Sequence, residues 1–140
     1  ARIAMCYPHV YVASVNIGYN KEQYLKAIKE ASLHNGPSLI IAYSPCIEHG
    51  IKTGMQHSQS NGYLATKCGY FLTFRYNPDT KKFSLDSKEP EFDKYEDYLM
   101  TENRFASLVR KDKERARLLL EEQKQWAIDR YNYYKKISEE

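Results

Sequence analysis

The most constraining feature of the sequence is a short apolar run that ends beside a cysteine. The segment Gly36 to Gly50 reads GPSLIIAYSPCIEHG, and its apolar part extends from Leu39 to Tyr43. An uninterrupted run of this length, rich in β-branched residues, is typical of a central parallel strand covered on both faces. Cys46 follows the strand, and open α/β sheets bind ligands and cofactors at the carboxyl ends of their strands. Cys46 is therefore the first candidate functional residue.

The residues before this run predict a βαβ unit. His9 to Val15 has the β-branched and aromatic content of a strand. Asn20 can cap a helix that runs to about His34, with Gln23 completing a capping box. We expect this helix to end where Gly36 adopts a left-handed conformation and the crossover between the two strands to be right-handed. Spacing of three and four residues predicts that the helix buries Tyr24, Leu25, Ile28 and Ala31.

The chain then continues with a loop, a helix and a hairpin. Glu48 to Gly54 contains two glycines and few apolar residues, which is typical of a loop. A helix is predicted from about Met55 to Lys67. Tyr70 to Tyr76 and Phe83 to Leu85 are predicted to be two strands of a hairpin, because the turn residues Asn77-Pro78 separate them.

A helical tail makes up the rest of the chain. The composition changes near Asp86, so we divide the chain into an α/β part, 1–85, and a helical C-terminal extension, 86–140, that packs on it within one domain. Thr101 is a candidate cap for a short helix, and Asp112 for a long amphipathic helix reaching about Ile137. The predicted buried stripe of the long helix consists of Ala116, Leu119, Leu120, Gln123, Ala127, Tyr131 and Tyr134, with Trp126 at its edge.

Composition limits the function classes. The chain has 140 residues, enough for one domain with a real core, and a net charge of +3 with acidic and basic residues interleaved. Interleaved charge gives little support to nucleic-acid binding, and no apolar run approaches the roughly 20 residues that cross a membrane. Three cysteines suit a reducing, cytoplasmic setting better than a disulfide framework. The start, ARIAM, is expected to be an internal point of a longer chain.

The cysteines have competing interpretations. Cys46 is either a small buried hydrophobic residue or a metal ligand, and its place after a parallel strand favours neither strongly. Cys6 and Cys68 are expected to be packing residues, since a metal site made only from the three cysteines has no CxxC pair. His49 is expected to form a hydrogen bond that shapes the loop or reaches a cluster sulfur, because Glu48 is poorly placed to orient it as a catalytic base.

Several short segments together carry a family resemblance. They are GPSLIIAY, C-I-x-H-G and I-K-x-G-M in the central region, ARIAM and VYVA before it, and GYFLTFRYNP, LDSKEP and L-M-x-E-x-R-F after it. With these segments the chain resembles the C-terminal part of pyruvate:ferredoxin (flavodoxin) oxidoreductase, a thiamine- and iron–sulfur-dependent enzyme. The resemblance spans nearly the whole chain, and the combination is specific although each segment alone is weak.

The resemblance implies a fold and a site. The chain would be the latter portion of the thiamine diphosphate-binding domain, an α/β fold with a partial parallel sheet, covering helices, a small hairpin and a long C-terminal amphipathic helix. Cys46 would be one of the four thiolate ligands of the [4Fe-4S] cluster nearest the thiamine. The residues for diphosphate and Mg²⁺ would lie upstream, so the resemblance assigns no catalytic or thiamine-contacting residue here.

The resemblance also implies an activity for the whole enzyme. That enzyme oxidatively decarboxylates pyruvate to acetyl-CoA with coenzyme A, passes electrons through [4Fe-4S] clusters to ferredoxin or flavodoxin, and is expected to be a homodimer. The isolated chain is predicted to be inactive, because most of the cofactor site is absent from it. The alternatives are a homologous enzyme for another 2-oxoacid, or a non-catalytic interaction module that docks through the helix 112–137.

Overall fold

The chain folds around a four-stranded mixed sheet. The computed structural model describes all residues from Ala1 to Glu140. The strands are β1 Tyr11–Val15, β2 Ser38–Ala42, β3 Phe74–Asn77 and β4 Lys82–Leu85, and they lie in the order β2-β1-β3-β4. β1 pairs in parallel with β2, while the β1–β3 and β3–β4 pairs are antiparallel. The predicted α/β class, parallel pair and hairpin are confirmed.

Six α-helices surround the sheet. They are α1 Arg2–Met5, α2 Lys21–Leu33, α3 Ser58–Lys67, α4 Tyr95–Thr101, α5 Asn103–Lys111 and α6 Lys113–Glu139. Short 3-10 turns, Met55–His57 and Phe92–Lys94, precede α3 and α4. None of the helices combines the length and the apolar character that crossing a membrane requires. The long C-terminal helix predicted from the sequence is α6.

The N-terminus of α2 confirms one prediction and corrects another. Asn20 caps the helix, since its Oδ1 accepts a hydrogen bond from the backbone N–H of Gln23 at 3.0 Å. The side chain of Gln23 does not return to Asn20 as a capping box requires. It is buried and donates through Nε2 to the carbonyl of Ser14 at 3.2 Å and to Asp86 Oδ2 at 2.9 Å. The capping-box prediction was wrong because the side-chain amide of Gln23 forms hydrogen bonds to distant partners instead.

The buried face of α2 also differs from the prediction. Gln23 and Ala27 are buried, whereas the predicted core residues Leu25 and Ile28 are exposed. The helix covers β1 and β2, and the hydrogen bonds of Gln23 turn this polar position toward the sheet. Tyr24 and Ala31 are half-buried against the same face of the sheet, as predicted, so hydrophobic spacing identified the buried face of the helix only in part.

Gly36 does not end α2 in a left-handed conformation. The positive φ angles belong to Gly50, Gly54, Gly69 and Lys81, and α2 ends at an extended His34. A Cβ on Gly36 would lie 2.9 Å from the carbonyl oxygen of His9. Glycine is needed at Gly36 because two chain segments approach closely there.

The core has one part on each face of the sheet and one beneath the helical tail. Every residue of β1 is buried, and its side chains alternate between the two faces. One face contributes to a cluster of Val12, Leu72, Phe74, Phe83, Tyr131 and Tyr134, and the other to a cluster of Tyr11, Ala13, Val15 and Ala27. The third cluster consists of Ala65, Cys68, Tyr95, Tyr98, Leu99 and Ala127. Residues of α6 contribute to two of these clusters, so the long helix is an integral part of the core.

β2 lies at an edge of the sheet, which corrects the expectation of a covered central strand. The sheet order places β1 on one side of β2 and no strand of this chain on the other. Ser38, Leu39 and Ala42 are exposed, and Ile40 and Ile41 are half-buried. The composition of β2 is that of an interior strand, but these 140 residues supply only one neighbour for it.

The tail begins and ends close to the predicted positions. Asp112 caps α6, accepting a hydrogen bond from the backbone N–H of Arg115 at 3.0 Å. Thr101 does not cap a helix, because it lies in α4 and its hydroxyl donates to Asn61 Oδ1 at 2.6 Å. The predicted stripe of α6 is only partly buried. Ala116, Ala127, Tyr131 and Tyr134 are buried, Leu120 is half-buried, and Leu119, Gln123 and Trp126 are exposed.

Candidate functional site

Cys46 lies in a turn that follows the end of β2. The backbone of Tyr43 continues the pairing of β2 by donating to the carbonyl of Val15 at 2.9 Å. The chain then turns, and the N–H of Gly50 closes the turn on the carbonyl of Cys46 at 2.9 Å. Gly50 has a φ of 71°, a left-handed value that favours glycine. The cysteine is thus held at the carboxyl end of a parallel strand, as the sequence predicts.

Cys46 and His49 are in direct contact. The Sγ atom of Cys46 lies 3.1 Å from Nδ1 of His49, so the contact of this histidine side chain lies within the loop. The pKa of the Cys46 thiol is lowered, first by the backbone N–H of His49, then by its side chain and by the backbone N–H of Glu48. These donors stabilise a thiolate, which is the form that binds metals. The neighbouring Ile47 side chain is 82% exposed, so this turn is on the surface of the chain.

The junction of α4 and α5 holds the other end of the loop. The N–H of Lys52 donates to the carbonyl of Thr101 at 2.8 Å, and the N–H of Asn103 donates to the carbonyl of Gly50 at 3.2 Å. The side chain of Asn103 adds a hydrogen bond to the carbonyl of His49 at 2.9 Å. This loop, residues 46–52, is called the Cys46 loop below.

A buried carboxylate, which sequence patterns did not predict, lies at this junction. Glu102 Oε1 accepts from the hydroxyl of Tyr98 at 2.9 Å and of Tyr43 at 3.2 Å. Its Oε2 accepts from Arg104 Nε at 2.6 Å. The one available signal was the L-M-x-E-x-R-F segment, which contains both Glu102 and Arg104 but gives no hint that the glutamate is buried.

The other cysteines lie elsewhere. Cys68 is buried in the third core cluster, which confirms its packing role, and burial raises the pKa of its thiol to about 11. Cys6 is exposed, which corrects the expectation that it packs, and its thiol donates to the carbonyl of Arg2 at 3.4 Å. No group of three or more histidine, cysteine or acidic side chains in the chain is arranged to hold a metal ion.

The chemical properties of Cys46 suit a ligand of an iron–sulfur cluster, but one cysteine cannot form the site alone. The favourable features are an unbridged thiol, N–H groups that stabilise its thiolate, and a surface position that other ligands can approach. A [4Fe-4S] cluster requires four such ligands, so the others must come from outside these residues.

Comparison with known proteins finds close relatives of the whole chain. It is 42% identical over 97% of its length to the pyruvate-flavodoxin oxidoreductase of Enterobacter agglomerans and 42% identical over 98% to the pyruvate:ferredoxin oxidoreductase of Moorella thermoacetica. It is 39% identical over 98% to the NADP⁺ pyruvate dehydrogenase of Cryptosporidium parvum. The chain spans 12% of the length of the first two proteins and 8% of the third. No protein-family model matches the chain.

Proposed function

We propose, from the homology of this chain to one segment of the pyruvate:flavodoxin and pyruvate:ferredoxin oxidoreductases, that it is part of an enzyme that oxidatively decarboxylates pyruvate. The names of all three relatives described above contain pyruvate, which supports this substrate over another 2-oxoacid. Flavodoxin or ferredoxin is the proposed electron acceptor. Coenzyme A would be the acyl acceptor, thiamine diphosphate with Mg²⁺ would be bound by other segments, and the whole enzyme would be a homodimer.

The observation that carries the proposal for this segment is the Cys46 loop. Its thiol stands at the carboxyl end of a parallel strand, in contact with His49, and with backbone N–H groups that favour the thiolate. Cys46 would supply one thiolate to a [4Fe-4S] cluster whose other ligands lie outside the chain. Such a cluster, when bound, carries single electrons between the substrate site and the acceptor. His49 orients the sulfur, and the loop backbone supplies donors to it.

A second contribution of this segment would be to the sheet. β2 has a largely apolar sequence, and its outer edge has no partner strand in this chain. On the covering helix α2, Leu25 and Ile28 are exposed, and Leu33 is 75% exposed. We propose that another part of the same enzyme continues the sheet beyond β2. The outer edge and the apolar surface of α2 support this assignment.

The test of the cluster assignment is Cys46→Ser in the intact protein that contains this chain. Iron content and the electron paramagnetic resonance of the reduced protein are compared with those of the unmodified protein and of Cys6→Ser. Cys6 is the matched control because it is also a free cysteine but lies outside the Cys46 loop. We expect Cys46→Ser to lose or alter one cluster, a change of up to about four iron atoms per chain. Equal iron and equal spectra in all three proteins would refute the assignment.

A further inference from the structure

The position of Glu102 calls for a physical explanation. Glu102 is the only aspartate, glutamate, lysine or arginine among the buried residues, with 2% of the residue exposed. Burying an ionised carboxylate is unfavourable unless donors replace the lost water. An apolar residue of similar size would fill the same space without that cost. The carboxylate is therefore expected to have a role beyond filling the core.

The side chains that face Glu102 are all able to donate hydrogen bonds to it. Arg104 and Tyr98 donate at 2.6 and 2.9 Å, Tyr43 at 3.2 Å, and the amide of Asn61 at 3.4 Å. The hydroxyls of Tyr43 and Tyr98 also lie 2.5 Å apart. Because each hydroxyl has one proton, two of the three contacts among Tyr43, Tyr98 and Glu102 are hydrogen bonds at any one time. Burial, and then the hydrogen bond to Tyr43, raise the pKa of Tyr98, so its proton remains available to the carboxylate. One donor follows the end of β2, and the others lie in α3, α4 and α5. All of them converge on the same carboxylate.

These contacts connect Glu102 to both ends of the Cys46 loop. Tyr43, three residues before Cys46, donates directly to the carboxylate. At the other end, Ile51 lies opposite Glu102 in an antiparallel β-bridge. The bridge is made by the hydrogen bonds of the flanking residues, from Lys52 to Thr101 and from Asn103 to Gly50. Glu102 therefore contacts the segment before the loop through its side chain and lies in the backbone pairing that holds the end of the loop.

We propose that Glu102 is a positioning residue that fixes the Cys46 loop and thereby the direction of the Cys46 sulfur. Its carboxylate anchors the α4–α5 junction to the end of β2, and the junction holds residues 49–52 by hydrogen bonds. The effect of this anchoring on a bound cluster rests on the proposed function. The positioning of the loop is independent of the proposed function, because every contact involved lies within the chain.

The decisive variant is Glu102→Gln in the intact protein. The amide keeps the size of the side chain but places N–H hydrogens where donors converge, so that hydrogen bonds are lost. We expect amide hydrogen exchange in residues 46–52 to become at least about tenfold faster. The spectrum of the cluster that Cys46→Ser identifies should shift or broaden. Glu121→Gln is the matched control, because Glu121 is exposed and pairs only with Arg117 at 3.0 Å.

Tyr98→Phe is the second variant, in case Glu102→Gln does not fold. It removes one donor to the carboxylate and leaves the ring in place, so we expect a smaller change in exchange of the same loop. If exchange of residues 46–52 in the folded variants equals that of Glu121→Gln, the inference is overturned. If Cys46→Ser leaves iron and spectrum unchanged, the proposed function fails, and loop exchange alone then decides whether Glu102 is a positioning residue.

Discussion

The guanidinium of Arg75 and the carboxylate of Asp86 form two parallel hydrogen bonds, from Nε to Oδ2 at 2.9 Å and from Nη2 to Oδ1 at 2.8 Å. Each side chain is 14% exposed. Arg75 also donates to Glu30 Oε1 at 2.6 Å, and Gln23 donates to Asp86. The pair therefore connects β3 to α2 and to the segment that follows β4. In this way it holds the hairpin against the βαβ unit.

Replacing Asp86 with alanine should weaken this connection strongly. Arg75 would keep Glu30 but lose its bidentate partner, and Gln23 would lose an acceptor. Breaking one side of a largely buried ion pair costs about 3 kcal/mol, since the remaining charge is left poorly paired. The measurement is amide exchange in β3 and β4 of the intact protein. Glu121→Ala, at an exposed pair with Arg117, should change stability by less than about 0.5 kcal/mol. Equal effects of the two variants would contradict this account.

Local signals in the sequence predicted the elements well. Asn20 and Asp112 were recognised as helix caps because a cap depends on a side chain and a backbone N–H three residues away. The turn at Asn77 was recognised for the same reason, since its Oδ1 accepts from the N–H of Asp79 at 2.9 Å. Cys46 was found because its place after a strand is also a local property.

Features that depend on distant partners were missed. The sequence predicts a capping box at Gln23, but its side-chain amide donates to Asp86, which lies 63 residues away. No local pattern marks Glu102 as buried, because its burial results from four elements meeting around it. β2 was expected to be covered, and its composition gives no information about how much of the sheet this chain supplies. In each case the deciding contact is tertiary.

Gly18 is expected to tolerate no side chain. A Cβ at this position would lie 2.3 Å from the carbonyl oxygen of Gln59, a backbone atom at the start of α3. Gly18→Ala must therefore displace α3 or the loop after β1, at a cost of about 2 kcal/mol. Amide exchange in α3 of the intact protein measures the effect. Ser60→Ala, on an exposed position of the same helix, is the control and should change exchange little. Unchanged exchange in Gly18→Ala would show that the close approach relaxes freely.

Cys68 should make stability depend on alkaline pH. Burial raises the pKa of its thiol to about 11, whereas an unfolded cysteine titrates near about 8.5. Between these values the unfolded chain binds fewer protons than the folded one, so stability falls as the pH rises. The melting temperature of the intact protein, followed from about pH 8 to pH 10.5, should decline less steeply in Cys68→Ala than in the unmodified protein. Parallel declines would show that the Cys68 thiol contributes nothing to the slope.

The outer edge of β2 offers a test of whether another segment continues the sheet. Successive N–H groups of a strand point to opposite edges, so β1 can bond only alternate amides of Ser38–Ala42. If a further strand pairs with the outer edge in the intact protein, all five amides of β2 should exchange slowly. The measurement is hydrogen exchange resolved to single residues, with β1, which has a neighbour on both sides, as the internal reference. Rapid exchange of the alternate, outward-facing amides would mean that β2 remains an edge strand in the intact protein.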